Sequence, residues 1–398
     1  MRMRNNMRIN VKTAIIDLIV LLPITTLFQG MIPIINKVVF FAIILLLLYL
    51  VVKNKYTRAE ILAMVGFSIV YVAAFLFTKG APDNANEYYY LLFFIIYSIY
   101  VSKNFEDIKK YCEIKSRYIK GIALIWNAAV FVSLFLPSSY QKGYFFSFTG
   151  SVFRSATSAT FVLALVLVIA VENRKNAILA LLPIYCLFAG GSRTYLAIGL
   201  VLAVLLFYMV APSKKIFWIS LIPIISLAVV FLLNSNIINK INESMTVHST
   251  DYYQDPLIKF TSGRSLFWEA DMKAFFNGSK LNQIVGFGYN FVYDVNMTSI
   301  RNRIWAHNDF INILLCYGYI GLGCYIYFFL KMFQTCTSNL KLSNIFKFMV
   351  FFVWAFNAFF NMFYTYVCAC ASYPFVLIAI AIFCNVREKK EQKGWGKK

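Results

Sequence analysis

A succession of apolar runs, each near the length of a bilayer crossing, most constrains what this chain can fold into. Runs at about 14–31, 34–52, 59–78, 87–101, 118–137, 152–171, 177–190, 195–211, 216–233, 310–330, 345–365 and 367–386 are separated by short charged turns. A helix needs about 20 apolar residues to cross the hydrocarbon. Within lipid every backbone N–H and C=O must be satisfied inside the segment, which a helix achieves. The expected fold class is therefore all-α: a polytopic integral membrane protein with about 12 transmembrane helices. Only 14% of residues are charged, against about a quarter in soluble domains.

The net charge of +21 would suggest nucleic acid in a soluble protein, but its distribution points elsewhere. Twenty-six of the 38 Lys and Arg residues fall at the two ends and in turns assigned to one side, and twelve on the other. Positive charge is retained on the cytoplasmic side, so both termini are expected to be cytoplasmic. No basic segment alternates with aromatics in the manner of a base-stacking surface, so no nucleic acid is expected as a partner. Arg2, Arg4, Arg8 and Lys12 precede the first run with no small-residue cleavage site after it, which reads as an uncleaved anchor. Asp17 lies in that run, and an acid within a span is a functional hypothesis, although here it is close to the interface. The eight cysteines contain no C-x-x-C pair, so neither a zinc site nor a redox pair is expected.

The chain reads as a single polytopic domain, 1–398, in which 234–309 is a large extracytoplasmic loop containing short helices. This loop holds seven of the seventeen carboxylates, seven basic residues and both histidines. Residues Arg264 to Phe276 have the composition of a helix that lies on the membrane face or packs on the spans. Within it Glu269 and Asp271 fall on different faces, which argues against a metal pair. Asn308 and Asp309 suit the N-cap of the following span. His307 therefore stands where a helix N-terminus favours anions and disfavours imidazolium, leaving a neutral base. The other reading of His307 is an ordinary interfacial polar residue. Gly190-Gly191-Ser192-Arg193-Thr194 breaks the preceding apolar region. Arg193 there suits a phosphate or a carboxylate, or it snorkels to the interface.

Taken in order, these pieces resemble the O-antigen polymerase and O-antigen ligase family of membrane glycan transferases. The resemblance rests on Gly191-Ser192-Arg193, then Gly263-Arg264 with Trp268, then Gly286-Phe287-Gly288, and finally Ala306-His307-Asn308 followed by Gly318, Gly321 and Gly323. It covers about 191–323. It implies a membrane glycosyltransferase, without metal or other cofactor, in the bacterial cytoplasmic (inner) membrane. The donor implied is an undecaprenyl-diphosphate-linked oligosaccharide, and the acceptor a sugar hydroxyl at the outer face. His307, Arg264 and Arg193 are the implied catalytic residues, and Arg301, Arg303, Asn308 and Trp268 the substrate-binding ones. Implied partners are the lipid-linked donor, membrane lipid, a chain-length regulator and a flippase. No arginine here is followed by ten residues and a glycine, a spacing found in some polymerases of the family.

The first reading is a polymerase joining repeat units of an O-antigen or capsule polysaccharide. The alternative is a ligase passing the glycan to lipid A core or to protein. A polysaccharide flippase or transporter ranks below both, because it would be expected to show paired broken helices in related halves.

Overall fold

The computed structural model describes residues 2–78, 80, 86–213, 215–219, 221, 258, 261, 263–338, 340 and 344–395. Most of the expected run at 216–233, and loop residues 234–257, lie outside these. The described helices are α1 (Arg2–Leu27), α2 (Pro33–Lys53), α3 (Arg58–Phe77), α4 (Glu87–Ile114), α5 (Ser116–Ser133), α6 (Val152–Glu172), α7 (Leu181–Ala189) and α8 (Arg193–Val210). There follow α9 (Arg264–Asn277), α10 (Lys280–Val285), α11 (Phe291–Ile300), α12 (Asp309–Thr337), α13 (Asn344–Phe360) and α14 (Val367–Trp395). The only strands among the described residues are two-residue pieces, Tyr140–Gln141 and Tyr144–Phe145, paired in a hairpin.

Seven helices among the described residues are long and apolar enough to cross a membrane, and Phe346–Phe360 is a shorter apolar one. The protein is an all-α, multi-pass membrane protein. The expected run at 177–190 is a short 3-10 segment, Arg174–Ala180, leading into the nine-residue α7. The last hairpin, which has almost no polar turn in sequence, is two helices joined by residues 361–366.

Helices α6 and α14 form the centre, and small residues explain why. Ser155 to Ala159 of α6 and Cys368 to Ser372 of α14 are buried. Small side chains let membrane helices approach closely where no hydrophobic drive separates helix from lipid. Buried polar groups are satisfied across the contacts: the Trp126 indole N–H donates to Ser158 Oγ at 2.7 Å, and Ser158 donates to the Pro23 carbonyl at 2.9 Å. Cys368 lies 3.1 Å from Thr26 Oγ1 and Cys370 donates to the Phe363 carbonyl, so this close pair acts as small packed side chains. The outer helices α2 and α3 expose Ile34, Val38, Leu45, Leu62, Val72 and Leu76, a surface suited to lipid rather than water.

At one end of the bundle lie the polar ties between helix starts and turns. Thr57 and Glu60 form a reciprocal capping box at the start of α3, and Glu60 also pairs with Lys103 at 2.8 Å. Asp17 accepts a hydrogen bond from the Tyr111 hydroxyl, so this acid ties α1 to α4. The opposite end gathers the starts of α2, α4, α6, α8, α12 and α14, as alternating helix directions require. There α9 to α11 are packed.

The glycine motifs explain how that packing is fixed. Gly318 breaks α12 with φ 66°, which frees carbonyls of the preceding turn. The Phe287 N–H donates to the Leu315 carbonyl at 2.8 Å and the Gly288 N–H to the Cys316 carbonyl at 3.4 Å. A Cβ on Gly286 would stand 2.1 Å from the Cys316 oxygen, and one on Gly318 would stand 2.4 Å from the Ile284 oxygen. Only glycine permits both the backbone conformation and the contact.

Candidate active site

Two segments distant in sequence bring Arg193 and Arg264 together. The break after α7 sets Arg193 in the first turn of α8, and Arg264 opens α9 behind Gly263, which holds φ 81°. Both line a cavity of about 270 Å³ with Ser192, Thr261, Phe360 and Asn361. Arg264 Nη1 donates to the Phe360 carbonyl at the end of α13. Burial and the nearby charge of Arg193 push the Arg264 guanidinium down to about 10. Two cations held together in a partly dry site are poised for an anion.

The helix carrying Arg264 packs on the spans, one of the two placements its composition allowed. Phe267 and Phe275 are buried beneath it. The Trp268 indole donates to the Ala306 carbonyl at 2.6 Å, with its ring edge-on to Phe359 at 5.2 Å. Trp268 thus braces α9 against the segment that carries His307. Glu269 is exposed while Asp271 is buried, on different faces as expected. Burial raises the Asp271 carboxyl to about 8, and neither of its oxygens has a hydrogen-bond partner among the described residues.

His307 lies in the left-handed region at φ 50°, between Ala306 and the cap of α12. Its ring centroid is 6.1 Å from Trp305 and 6.4 Å from Phe267. Burial first, and the Arg264 charge second, push its imidazole down to about 3. The ring is neutral, as its position suggested, but desolvation and an arginine are the causes rather than the helix terminus. Asn308 is the N-cap, its Oδ1 accepting from the Ile311 N–H at 3.1 Å. Asp309 is wholly buried and fixes the helix start: its Oδ2 accepts from the Tyr325 hydroxyl at 2.6 Å and the Tyr364 N–H at 3.2 Å.

The remaining expected residues lie apart from this group. Arg301 and Arg303 are exposed, and Arg303 pairs with Asp294 of α11 at 2.8 Å. Neither lines the cavity. Sequence reasoning missed Tyr366, which is influenced electrostatically by both Arg264 and Arg154. Tyr366 lines a second cavity of about 670 Å³ together with Arg154, Lys37, Tyr90 and Trp305. The signal available for Arg154 was a cation in the first turn of an otherwise Ser-, Ala- and Thr-rich buried helix. Among the described residues no three His, Cys, Asp or Glu side chains gather as metal ligands would.

Fold and side-chain placement together describe a multi-pass membrane protein with Arg193, Arg264 and His307 near one end of the helix bundle. Residues 177–326 match the family described as O-antigen ligase. The match agrees with the ordered motifs and is consistent with a glycan-transferring membrane enzyme of the O-antigen ligase and polymerase type. The match takes in Arg193, Arg264, Trp268, His307 and Asn308, and leaves out Lys37, Arg154 and Tyr366. No curated protein matches the chain at a significant level.

Proposed function

We propose that the protein is a polysaccharide polymerase. It transfers a glycan from undecaprenyl diphosphate to a hydroxyl of a second lipid-linked repeat unit, at the outer face of the bacterial cytoplasmic membrane. The observation that carries this reading is the cavity shared by Arg193 and Arg264, with His307 near enough to feel the Arg264 charge. Guanidinium groups stay charged and bind phosphate oxygens in a fork, so the two arginines hold the diphosphate. His307 takes the proton from the acceptor hydroxyl as its oxygen attacks the anomeric carbon. The bond to the diphosphate breaks with its electron pair, and Arg193 and Arg264 stabilise that leaving charge without a metal. Attack opposite the leaving group inverts the transferred anomeric centre.

An imidazole held at about 3 is a weak base. A diphosphate bound at Arg264 cancels the smaller, cationic part of the shift and so moves His307 upward, while the larger part, from burial, remains. Asn308 fixes the helix start beside it and carries no proton.

The test uses purified protein in liposomes with lipid-linked repeat units and excess EDTA. Polymer should form, and His307→Ala should lower its rate by about 10²–10⁴, the usual worth of a positioned base. Wild-type rates from His307→Ala would refute the mechanism, as would a reaction that stops with EDTA and resumes with a divalent ion. The second reading, a ligase, is favoured by the description of the matched family. Transfer to lipid A core or to a protein, with no elongation of repeat units, would establish it instead.

A further inference from the structure

The larger cavity contains two cations that the mechanism above does not use. Lys37 belongs to α2, and Arg154 to the first turn of α6. Among the described residues neither has an ion pair. Both line the 670 Å³ cavity with Asn36, Tyr90, Trp305 and Tyr366. Three features suggest what such a space holds.

Two cations with no ion pair among the described residues suit an anion. The aromatic rings of Tyr90, Trp305 and Tyr366, with the Asn36 amide, suit sugar rings and hydroxyls. Third, the helix that carries Lys37 exposes Ile34, Val38 and Phe41 beside it, a surface for hydrocarbon. An anion, a sugar and a lipid chain at one place describe a lipid-linked glycan.

The two cavities are neighbours yet distinct. Phe153 lines the smaller and Arg154 the larger, so adjacent residues of α6 contribute to different cavities. Tyr366 lines the larger cavity and interacts electrostatically with both Arg264 and Arg154. Trp305, which lines the larger cavity, contacts the His307 ring. A molecule in the larger cavity therefore lies against Trp305, which also contacts the His307 ring.

We propose that this cavity is the acceptor site and that Lys37 and Arg154 bind the diphosphate of a second polyprenyl-diphosphate-linked glycan. The proposal rests on the transferase reading above and deepens it. A polymerase handles two lipid diphosphates at once, whereas transfer to a terminal acceptor needs one such site.

Direct counting of bound undecaprenyl diphosphate on the purified full-length protein, by native mass spectrometry or radiolabel, tests this. Wild type should bind two molecules per chain. Lys37→Gln with Arg154→Gln should bind one, and so should Arg264→Gln. In the elongation assay the double variant should raise the KM for the acceptor roughly tenfold or more, the usual effect of losing charged hydrogen bonds, while leaving the donor KM unchanged. The singles Lys37→Gln and Arg154→Gln, each with an intermediate effect, guard against a folding defect in the double variant.

Binding of one molecule by wild type, or of two by the double variant, would overturn the acceptor site. If the double variant loses one molecule and Arg264→Gln loses none, the acceptor site stands and the donor assignment fails. If only Arg264→Gln loses a molecule, the donor site stands and this proposal falls. A donor KM that rises with the acceptor KM would also refute it.

Discussion

Replacing Arg264 by glutamine should separate binding from stability in an instructive way. In the empty protein Arg264 is held at about 10, below its ordinary 12.5, by burial and by Arg193. At about 1.4 kcal/mol for each pKa unit, that disfavours its charge by roughly 3 kcal/mol. Glutamine removes this cost. Against it stands the lost bond to the Phe360 carbonyl, worth about 1.5–3 kcal/mol for a charged donor. The two nearly cancel, so the thermal midpoint in detergent should stay within a few degrees of wild type. Donor use should behave quite differently, falling roughly tenfold to a hundredfold as the charge-assisted contacts disappear. A donor analogue at a hundred times its Kd should stabilise wild type by about 2.7 kcal/mol and the variant hardly at all. Thermal unfolding with and without undecaprenyl diphosphate, beside donor KM, gives both readouts. A variant that unfolds easily and loses activity in proportion would make Arg264 a structural tie, and a wild-type donor KM would refute its binding role.

Other substitutions probe separate parts of the argument. Gly286→Ala should lower stability by about 2–4 kcal/mol, from a strained left-handed residue and the loss of the backbone bonds to α12; a thermal midpoint equal to wild type would show that the contact with Gly318 is dispensable. Arg303→Ala should change elongation less than twofold, because its exposed pair with Asp294 belongs to a class worth about 0–1 kcal/mol, and a large loss would return Arg303 to the site. Because Arg264 depresses His307, Arg264→Gln should raise the imidazole pKa measured by NMR in the empty protein. The protonated fraction at pH 5 should then exceed that of wild type, and an unchanged titration would dissociate the two residues. A cysteine at Ser279 should react with an impermeant reagent from outside intact cells while one near Gln392 should not, and the reverse pattern would invert the proposed topology.

The spans were legible because lipid imposes one strong rule on backbone and composition together. The glycines at 286, 288 and 318 were legible as a pattern but not as a contact, since nothing local tells Gly286 that Gly318 opens its helix to receive it. Arg193, Arg264 and His307 could be singled out because each sits at a local break or helix start. Their grouping depends on how α8, α9 and α12 meet, which the chain order does not display. Arg154 and Lys37 were counted only as outward positive charges. Their shared cavity is created by the starts of α2 and α6, more than a hundred residues apart. Asp309 was legible as a cap candidate, whereas its burial under Tyr325 and Tyr364 is a tertiary fact. The ion pair of Arg303 with Asp294 joins a loop arginine to the helix before it, whereas the resemblance implied a contact with substrate.

The broken α12 has a mechanical consequence. The stretch from Asp309 to Tyr317 is bonded through its freed carbonyls to residues 287 and 288, and Trp268 clasps the Ala306 carbonyl just ahead of it. The described part of the outer segment and the histidine-bearing helix end therefore move as one rigid piece. Lifting that segment like a hatch would drag His307 away from the arginine on α8. A lipid-linked donor of the kind proposed would instead enter sideways, between helices at the lipid boundary, with this piece held in place.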